Sequence, residues 1–233
     1  MQLKFALILC LLVALLISAA QAKSSKKSTP KKKSSPKPAP KVKIPSFVGK
    51  LLQKRSELTF YWRATNNDYP GGRTVTIGTC AGVPIAKVNK NFADNIVMEG
   101  SARLNNGLIV NSGNCDCGKG YNCFVTLDPK LFEWGESALG TALRPFVSVA
   151  SNDLLPNSKI YVPQIAGWVT PVTKKKHNGC LLVDDTFSMD TSHHMDFYSL
   201  DFEYYVDLDN KYPTNYIDIY EASNCTLLDY MRK

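Results

Sequence analysis

Short β-like runs separated by turn residues make up most of the chain after its first quarter, and this pattern limits the fold more than any other feature. In the first run Leu58, Phe60 and Trp62 alternate with their neighbours, as in a strand with one buried face. Further runs lie at residues 74–77, 108–110, 146–149, 159–162, 181–183, 194–200 and 216–220. Strands this short at this spacing are typical of one all-β barrel or sandwich. The helices expected are short, at 93–99 and 131–143.

The first 22 residues have the features of a secretory signal peptide. Lys4 precedes an apolar run from Phe5 to Ile17, and Ala20-Gln21-Ala22 supplies a small-x-small cleavage motif. The apolar run is shorter than the ~20 residues that span a bilayer, which favours cleavage over a single membrane anchor. We therefore expect a secreted, extracellular protein with no transmembrane segment after cleavage.

Cleavage removes one of the seven cysteines and leaves an even number in an oxidising compartment. The six are Cys80, Cys115, Cys117, Cys123, Cys180 and Cys225. Disulfides are the expected state, although six thiols allow fifteen pairings and the sequence does not choose among them. The chain has no Cys-x-x-Cys pair and only 3 His, so we expect no metal site. No dinucleotide or phosphate-binding fingerprint is present, so no cofactor is expected.

The net charge of +8 is unevenly distributed along the chain. Residues 23–55 hold twelve Lys/Arg and no acid, whereas residues 56–233 hold fifteen Lys/Arg and all twenty acids. Up to residue 43 the segment is nearly all Lys, Ser, Pro, Thr and Ala, which predicts a disordered linker. It is either a solvated spacer or a cationic tether to an anionic wall polymer or surface. Residues 44–55 form an amphipathic connector that either docks on the domain or resembles a propeptide.

The acidic balance of residues 56–233, taken as one domain, argues against sequence-specific binding of nucleic acid. Salt-sensitive binding of nucleic acid through the basic linker is one hypothesis for the function, and it is a weak one. A monomer is expected.

Three aspartates lie in sequence contexts that differ from those of ordinary carboxylates in solvated polar turns. Asp153 opens a turn that leads into the run KIYVP, and Asp185 ends the apolar run CLLVDD. Asp196 lies inside a third apolar run, HMDFY, where a charged group needs hydrogen-bond partners or a function.

The order Asp-x-x-Pro-x-x-x-Ile-Tyr-Val-Pro, then Gly-Cys-x-x-x-Asp-Asp-Thr, then apolar-Asp-aromatic eleven residues after the second Asp, resembles the three-aspartate (3D) domain over residues 145–198. That domain belongs to the catalytic barrel of the membrane-bound lytic transglycosylase A family. The resemblance implies a six-stranded double-psi β-barrel with extra strands, similar to rare lipoprotein A, barwin, expansins and family 45 endoglucanases. It also implies a cell-wall polysaccharide as the partner.

By this resemblance Asp196 is the general acid/base of a lytic transglycosylase, with Asp185 and Asp153 in the same site. One carboxyl would protonate the leaving oxygen and then take a proton from the sugar's C6 hydroxyl. Asp184 or Asp185 with Asp196 would alternatively form the pair of an inverting hydrolase, roughly 6.5–9.5 Å apart with water between. Hydrolysis therefore stays open, and capping of turns is the structural alternative for Asp153, Asp185 and Asp196.

In the family the second aspartate usually begins the motif Asp-Thr-Gly-Gly, whereas this chain reads Asp-Thr-Phe-Ser at 185–188. Because the residues after Asp185 would line the groove, this change keeps a second function open. That function is a non-catalytic polysaccharide-binding module like expansins and barwin. Candidate substrate-binding residues are Asp184, His194, Tyr61 and Trp62, the two aromatic rings as stacking surfaces for sugars. Asn224 begins an Asn-Cys-Thr sequon, a candidate site for glycosylation.

Overall fold

The computed structural model describes residues 44–113, 115–118, 120–187 and 191–233. The predicted signal peptide and the linker up to residue 43 lie outside these residues. Twelve strands and two helices are found in the part described. The strands are β1 (Leu51–Tyr61), β2 (Ala64–Thr65), β3 (Thr74–Thr79), β4 (Pro84–Asn89), β5 (Ser101–Arg103), β6 (Ile109–Ser112), β7 (Tyr121–Leu127), β8 (Ser148–Ala150), β9 (Lys159–Tyr161), β10 (Cys180–Asp185), β11 (His194–Tyr198) and β12 (Tyr216–Glu221). The helices are α1 (Lys90–Glu99) and α2 (Phe202–Lys211).

Six of the strands close into a barrel in the order β1-β11-β8-β10-β9-β12. The pairs β1–β11 and β8–β10 are parallel, and the other four are antiparallel. Alternate side chains of these strands point inward and build one apolar core, which includes Leu58, Val149, Leu181, Met195 and Ile217. The prediction of an all-β fold on a six-stranded barrel with extra strands, short helices and disulfides is confirmed.

The remaining strands form a second sheet, of order β2-β5-β6-β7-β3-β4, between β1 and β8 in the chain. Its core is separate from that of the barrel, and α1 packs on it through Phe92, Ala93 and Ile96. The Asn89 side chain accepts a hydrogen bond from the Phe92 N–H and caps the start of α1. Gly100 ends the helix with a positive φ of 78°, so the helix predicted at 93–99 is confirmed.

The second predicted helix, at residues 131–143, is wrong. Two glycines interrupt this segment with left-handed φ values, 112° at Gly135 and 75° at Gly140, which a helix does not admit. The segment forms turns and one short bridge between Glu136 and Ala142 instead. A helix that we did not predict, α2, lies at Phe202–Lys211.

The connector at residues 44–55 docks on the barrel, the first of its two alternatives. Strand β1 begins at Leu51 and pairs there with Tyr220 of β12, so residues 51–55 belong to the barrel rather than to the linker. Gln53 and Ser56 are buried and hydrogen-bonded to each other, which fixes this start of the strand. The Phe47 ring meets Tyr161 edge-on at 5.7 Å.

All six predicted cysteines form disulfides, paired as Cys80–Cys115, Cys117–Cys123 and Cys180–Cys225. The first two lie in the second sheet and its loops, and the third ties the start of β10 to the segment after β12. Such bonds persist in oxidising compartments, as expected for an extracytoplasmic protein. Among the described residues, no helix is long and apolar enough to cross a membrane.

Candidate functional site

Asp196 lies in the middle of β11, between the buried Met195 and Phe197. Because side chains alternate along a strand, its carboxyl points away from the core and is partly exposed. Strand β1 runs parallel beside it, with Thr59 as the register partner, and the Thr59 hydroxyl donates to Asp196 Oδ1 at 2.8 Å. Burial raises the pKa of Asp196 to about 6, although Thr59 and His194 favour its charged form.

His194 completes a short hydrogen-bonded chain on the same face of β11. Its Nε2 lies 2.6 Å from the Thr59 hydroxyl, and its Nδ1 lies 3.2 Å from the Thr191 hydroxyl. Since the single Thr59 proton goes to Asp196, Nε2–H donates to Thr59 in the arrangement that satisfies every group. The predicted substrate-binding residue His194 thus contacts the hydroxyl that holds Asp196.

Asp185 ends β10 with a carboxylate that accepts three hydrogen bonds. Tyr61 OH donates at 2.9 Å, and the backbone N–H groups of Ala138 and Thr186 donate at 2.7 and 2.9 Å. Burial still raises its pKa, and its charge in turn raises that of Asp196. Asp185 and Asp196 lie on either side of β8, since Ala150 is the register partner of both. Asp185 is hydrogen-bonded as a structural anchor for Tyr61 and for the loop that carries Ala138.

Asp184 lies inside the protein, with 1% of its surface exposed. Ser148 Oγ donates to Oδ2 at 2.8 Å, while Oδ1 has no hydrogen-bond partner among the described residues. Burial raises its pKa to about 7, and the charge of Asp185 adds to the effect. A polymer on the protein surface does not reach this carboxyl.

Asp153 lies in an exposed turn and caps it. Its carboxylate accepts from the His193 N–H at 2.7 Å and from Ser151 Oγ at 3.1 Å, and the His193 ring lies 3.8 Å away. Burial would raise its pKa, but these hydrogen bonds outweigh it and hold the pKa below the usual value. These contacts agree with the alternative in which Asp153 caps a turn. None of them joins Asp153 to Asp196.

The aromatic candidates are engaged with the protein itself. Tyr61 is bonded to Asp185, and Trp62 stacks on Tyr205 with ring centroids 5.0 Å apart. Trp62 Nε1 also donates to Tyr69 OH at 2.7 Å, so one face and the polar edge of this ring are occupied. Asn224 is exposed in a turn, next to the buried Cys225.

Glu99 lies beside these residues and was not predicted from the sequence. It is the last residue of α1, and its Oε2 accepts from the backbone N–H of Trp62 at 3.3 Å. Burial raises its pKa to about 8, and the charge of Asp196 contributes. The available signal was an acid directly before the C-terminal Gly100, where the helix dipole disfavours negative charge.

No protein-family model matches the sequence, and no curated protein matches it. The fold is similar to that of the lytic transglycosylase MltA of E. coli with bound chitohexaose, with a TM-score of 0.47 and 12% identity over 72% of this chain and 71% of that chain. It is also similar to MltA from Neisseria gonorrhoeae, with a TM-score of 0.37 and 15% identity over 63% and 50%. For the lytic transglycosylase LtgG of Burkholderia pseudomallei the values are 0.34 and 12% over 76% and 69%. At these identities the likeness concerns the fold alone.

Proposed function

We propose that this protein cleaves a β-linked cell-wall polysaccharide outside the cell, with Asp196 as the general acid/base. The observation that carries the proposal is the state of Asp196, a partly exposed carboxyl with a pKa raised to about 6 and a hydrogen bond from Thr59. A carboxyl of this pKa exchanges its proton near neutral pH, as a group that must serve as both acid and base requires.

The chemistry needs no cofactor. Protonation of the glycosidic oxygen releases the leaving saccharide, and the positive charge develops at C1 of the other sugar. In a lytic transglycosylase the C6 hydroxyl of that sugar attacks C1 and its proton returns to the carboxylate, so that no water is consumed. In a hydrolase a water molecule takes the place of the C6 hydroxyl.

The contacts of the other acids support Asp196 over its neighbours. Asp185 has its oxygens occupied by Tyr61 and two backbone N–H groups, Asp184 is buried, and Asp153 caps a turn. Asp196 alone of these four combines partial exposure with a raised pKa. General acid–base catalysis by such a group contributes about 10²–10⁴-fold to a rate.

The test incubates the purified protein with peptidoglycan, chitin and cellulose in ¹⁸O-labelled water and analyses soluble products by mass spectrometry. We expect release from one polymer, with unlabelled anhydro ends for transglycosylation or labelled ends for hydrolysis. Asp196→Asn should lower the rate by at least about 100-fold. Asp207→Asn, the same change at an exposed position of α2, is the matched control.

Two results would overturn the proposal. The first is equal product release by wild type and Asp196→Asn. The second is co-sedimentation with a polymer, unchanged in Asp196→Asn, without any soluble product; that outcome would assign the non-catalytic binding function instead.

A further inference from the structure

Three carboxyls from three different elements accept hydrogen bonds from one short segment of the chain. The end of β1 and the residue that follows it supply all three donors within four residues. The bonds run from the Thr59 hydroxyl to Asp196, from the Tyr61 hydroxyl to Asp185, and from the Trp62 N–H to Glu99. The barrel and the helix that packs on the second sheet therefore each place a carboxyl beside this segment. Asp196 comes from β11 and Glu99 from α1.

Glu99 differs from the two aspartates in having a single weak contact. Its one hydrogen bond is the 3.3 Å bond from Trp62, and in the described part of the chain it forms no ion pair within 4.0 Å. The titratable groups that influence it or are influenced by it are Asp196 and Tyr198 on β11 and Tyr69 after β2. None of these is a cation, and burial raises the pKa of the Glu99 carboxyl to about 8.

Asp196 and Glu99 therefore differ in charge near neutral pH. The proton leaves Asp196 at a pKa of about 6, and the resulting negative charge helps Glu99 to keep its own. The two groups that donate to them, the Thr59 hydroxyl and the Trp62 N–H, lie three residues apart, which is at most about 10 Å of extended chain. An acid and a base that work together across a glycosidic bond need a comparable span, roughly 6.5–9.5 Å between the carboxyls.

We propose that Glu99 is a second catalytic residue of this site, the acid that protonates the leaving oxygen, while Asp196 is the base. This inference rests on the proposed function and divides its two proton transfers between two groups. The Glu99 proton passes to the glycosidic oxygen as the C1–O bond breaks. Asp196 takes the proton of the attacking hydroxyl, from the sugar's C6 or from water, as the new C1–O bond forms. One proton then returns from Asp196 to Glu99, so the atoms and charges balance.

The experiment compares Glu99→Gln with Asp196→Asn on two substrates. The first is the polymer that the wild type cleaves, and the second is an aryl glycoside of the same saccharide whose nitrophenolate leaves without protonation. Gln keeps the size of Glu and an acceptor for the Trp62 N–H, so the local fold is preserved. Glu133→Gln, the same change at an exposed position, is the control.

We expect Glu99→Gln to lose at least about 100-fold in kcat/KM on the polymer and less than about 10-fold on the aryl glycoside. Asp196→Asn should lose activity on both substrates. The fall in kcat/KM above about pH 8 should be present in the wild type and absent in Glu99→Gln, because the group that loses its proton there has been replaced.

Three results would overturn the assignment of Glu99. If wild type and Asp196→Asn behave as proposed but Glu99→Gln matches Glu133→Gln, then Asp196 performs both transfers and only this inference fails. If Glu99→Gln lowers kcat/KM equally on both substrates, the effect of the substitution is structural and Glu99 is not the acid. If the wild type cleaves neither substrate, the proposed function fails, and the role of Glu99 with it.

Discussion

Replacement of Asp184 by Asn should raise the free energy of unfolding, relative to wild type, more at alkaline pH than at acidic pH. The Asp184 side chain is 1% exposed, one of its oxygens has no hydrogen-bond partner among the described residues, and burial is the main cause of its raised pKa. Ionised Asp184 is therefore a buried charge that the hydrogen bond from Ser148 and the positive charge of Arg144 do not fully offset, which destabilises the folded state. Asn keeps the shape and the acceptor for Ser148 Oγ but never ionises.

The magnitude follows from the two pKa values of Asp184. The folded protein raises the pKa from 3.8 to about 7, so between these pH values the folded chain binds more protons than the unfolded chain. The stability that the neutral carboxyl contributes is full below pH 3.8 and is lost as the pH rises through about 7. At about 1.4 kcal/mol per pKa unit the loss is about 4 kcal/mol, an upper limit because the surroundings relax around a buried charge.

The assay is urea unfolding of wild type, Asp184→Asn and Asp207→Asn at about pH 4 and about pH 8.5. The free energy of unfolding of Asp184→Asn minus that of wild type should increase by up to about 4 kcal/mol between the two pH values. The control changes an exposed carboxyl of α2, and its difference from wild type should vary by less than about 0.5 kcal/mol. A difference for Asp184→Asn that is the same at both pH values would refute the reasoning, because the buried carboxyl would then not be ionising within this range.

Two further predictions concern the hydroxyl that holds Asp196 and the disulfide of the barrel. Thr59→Val removes a hydrogen bond that favours the carboxylate, so the pKa of Asp196 should rise above about 6 by about one unit, measured by carboxyl ¹³C NMR; Thr59→Ser should leave it unchanged. The double replacement of Cys180 and Cys225 by Ser opens a loop of 45 residues and should lower the free energy of unfolding by about 4 kcal/mol, measured by urea unfolding; a loss below about 1 kcal/mol would contradict it.

The parts of the fold that depend on residues close together in the sequence were predictable. The strands around Leu181 and Met195 were identified because alternation and short apolar runs are local signals. The helix predicted at 93–99 was found for the same reason, although α1 begins three residues earlier, at Lys90. Helix α2 was missed because its sequence, FEYYVDLDNK, is rich in aromatic and acidic residues and buries only Leu208 fully, so its apolar periodicity is weak.

The candidate site was predictable only in part. The sequence context of Asp196, a carboxyl inside an apolar strand, identified it as unusual, and its raised pKa has the same cause, burial. Asp153 opens a turn, as the sequence indicated, but its hydrogen bond from the His193 N–H joins residues 40 positions apart and was not predictable. Glu99 has no local link to the site because its bond to Trp62 joins residues 37 positions apart.

By itself, the sequence determined the positions of the six barrel strands and of β3 and β6, but not those of β2, β4, β5 and β7. It also determined that the six cysteines of residues 56–233 would pair and that Asp185 and Asp196 lie in apolar surroundings. These properties depend on side-chain chemistry and on spacing along the chain, which the sequence contains directly. The tertiary structure alone decided which cysteines pair, that Asp184 is fully buried while Asp196 is half-buried, and that Glu99 at the end of α1 accepts a hydrogen bond from the Trp62 N–H. These depend on distances between segments far apart in the chain, which closure of the barrel and packing of the second sheet establish.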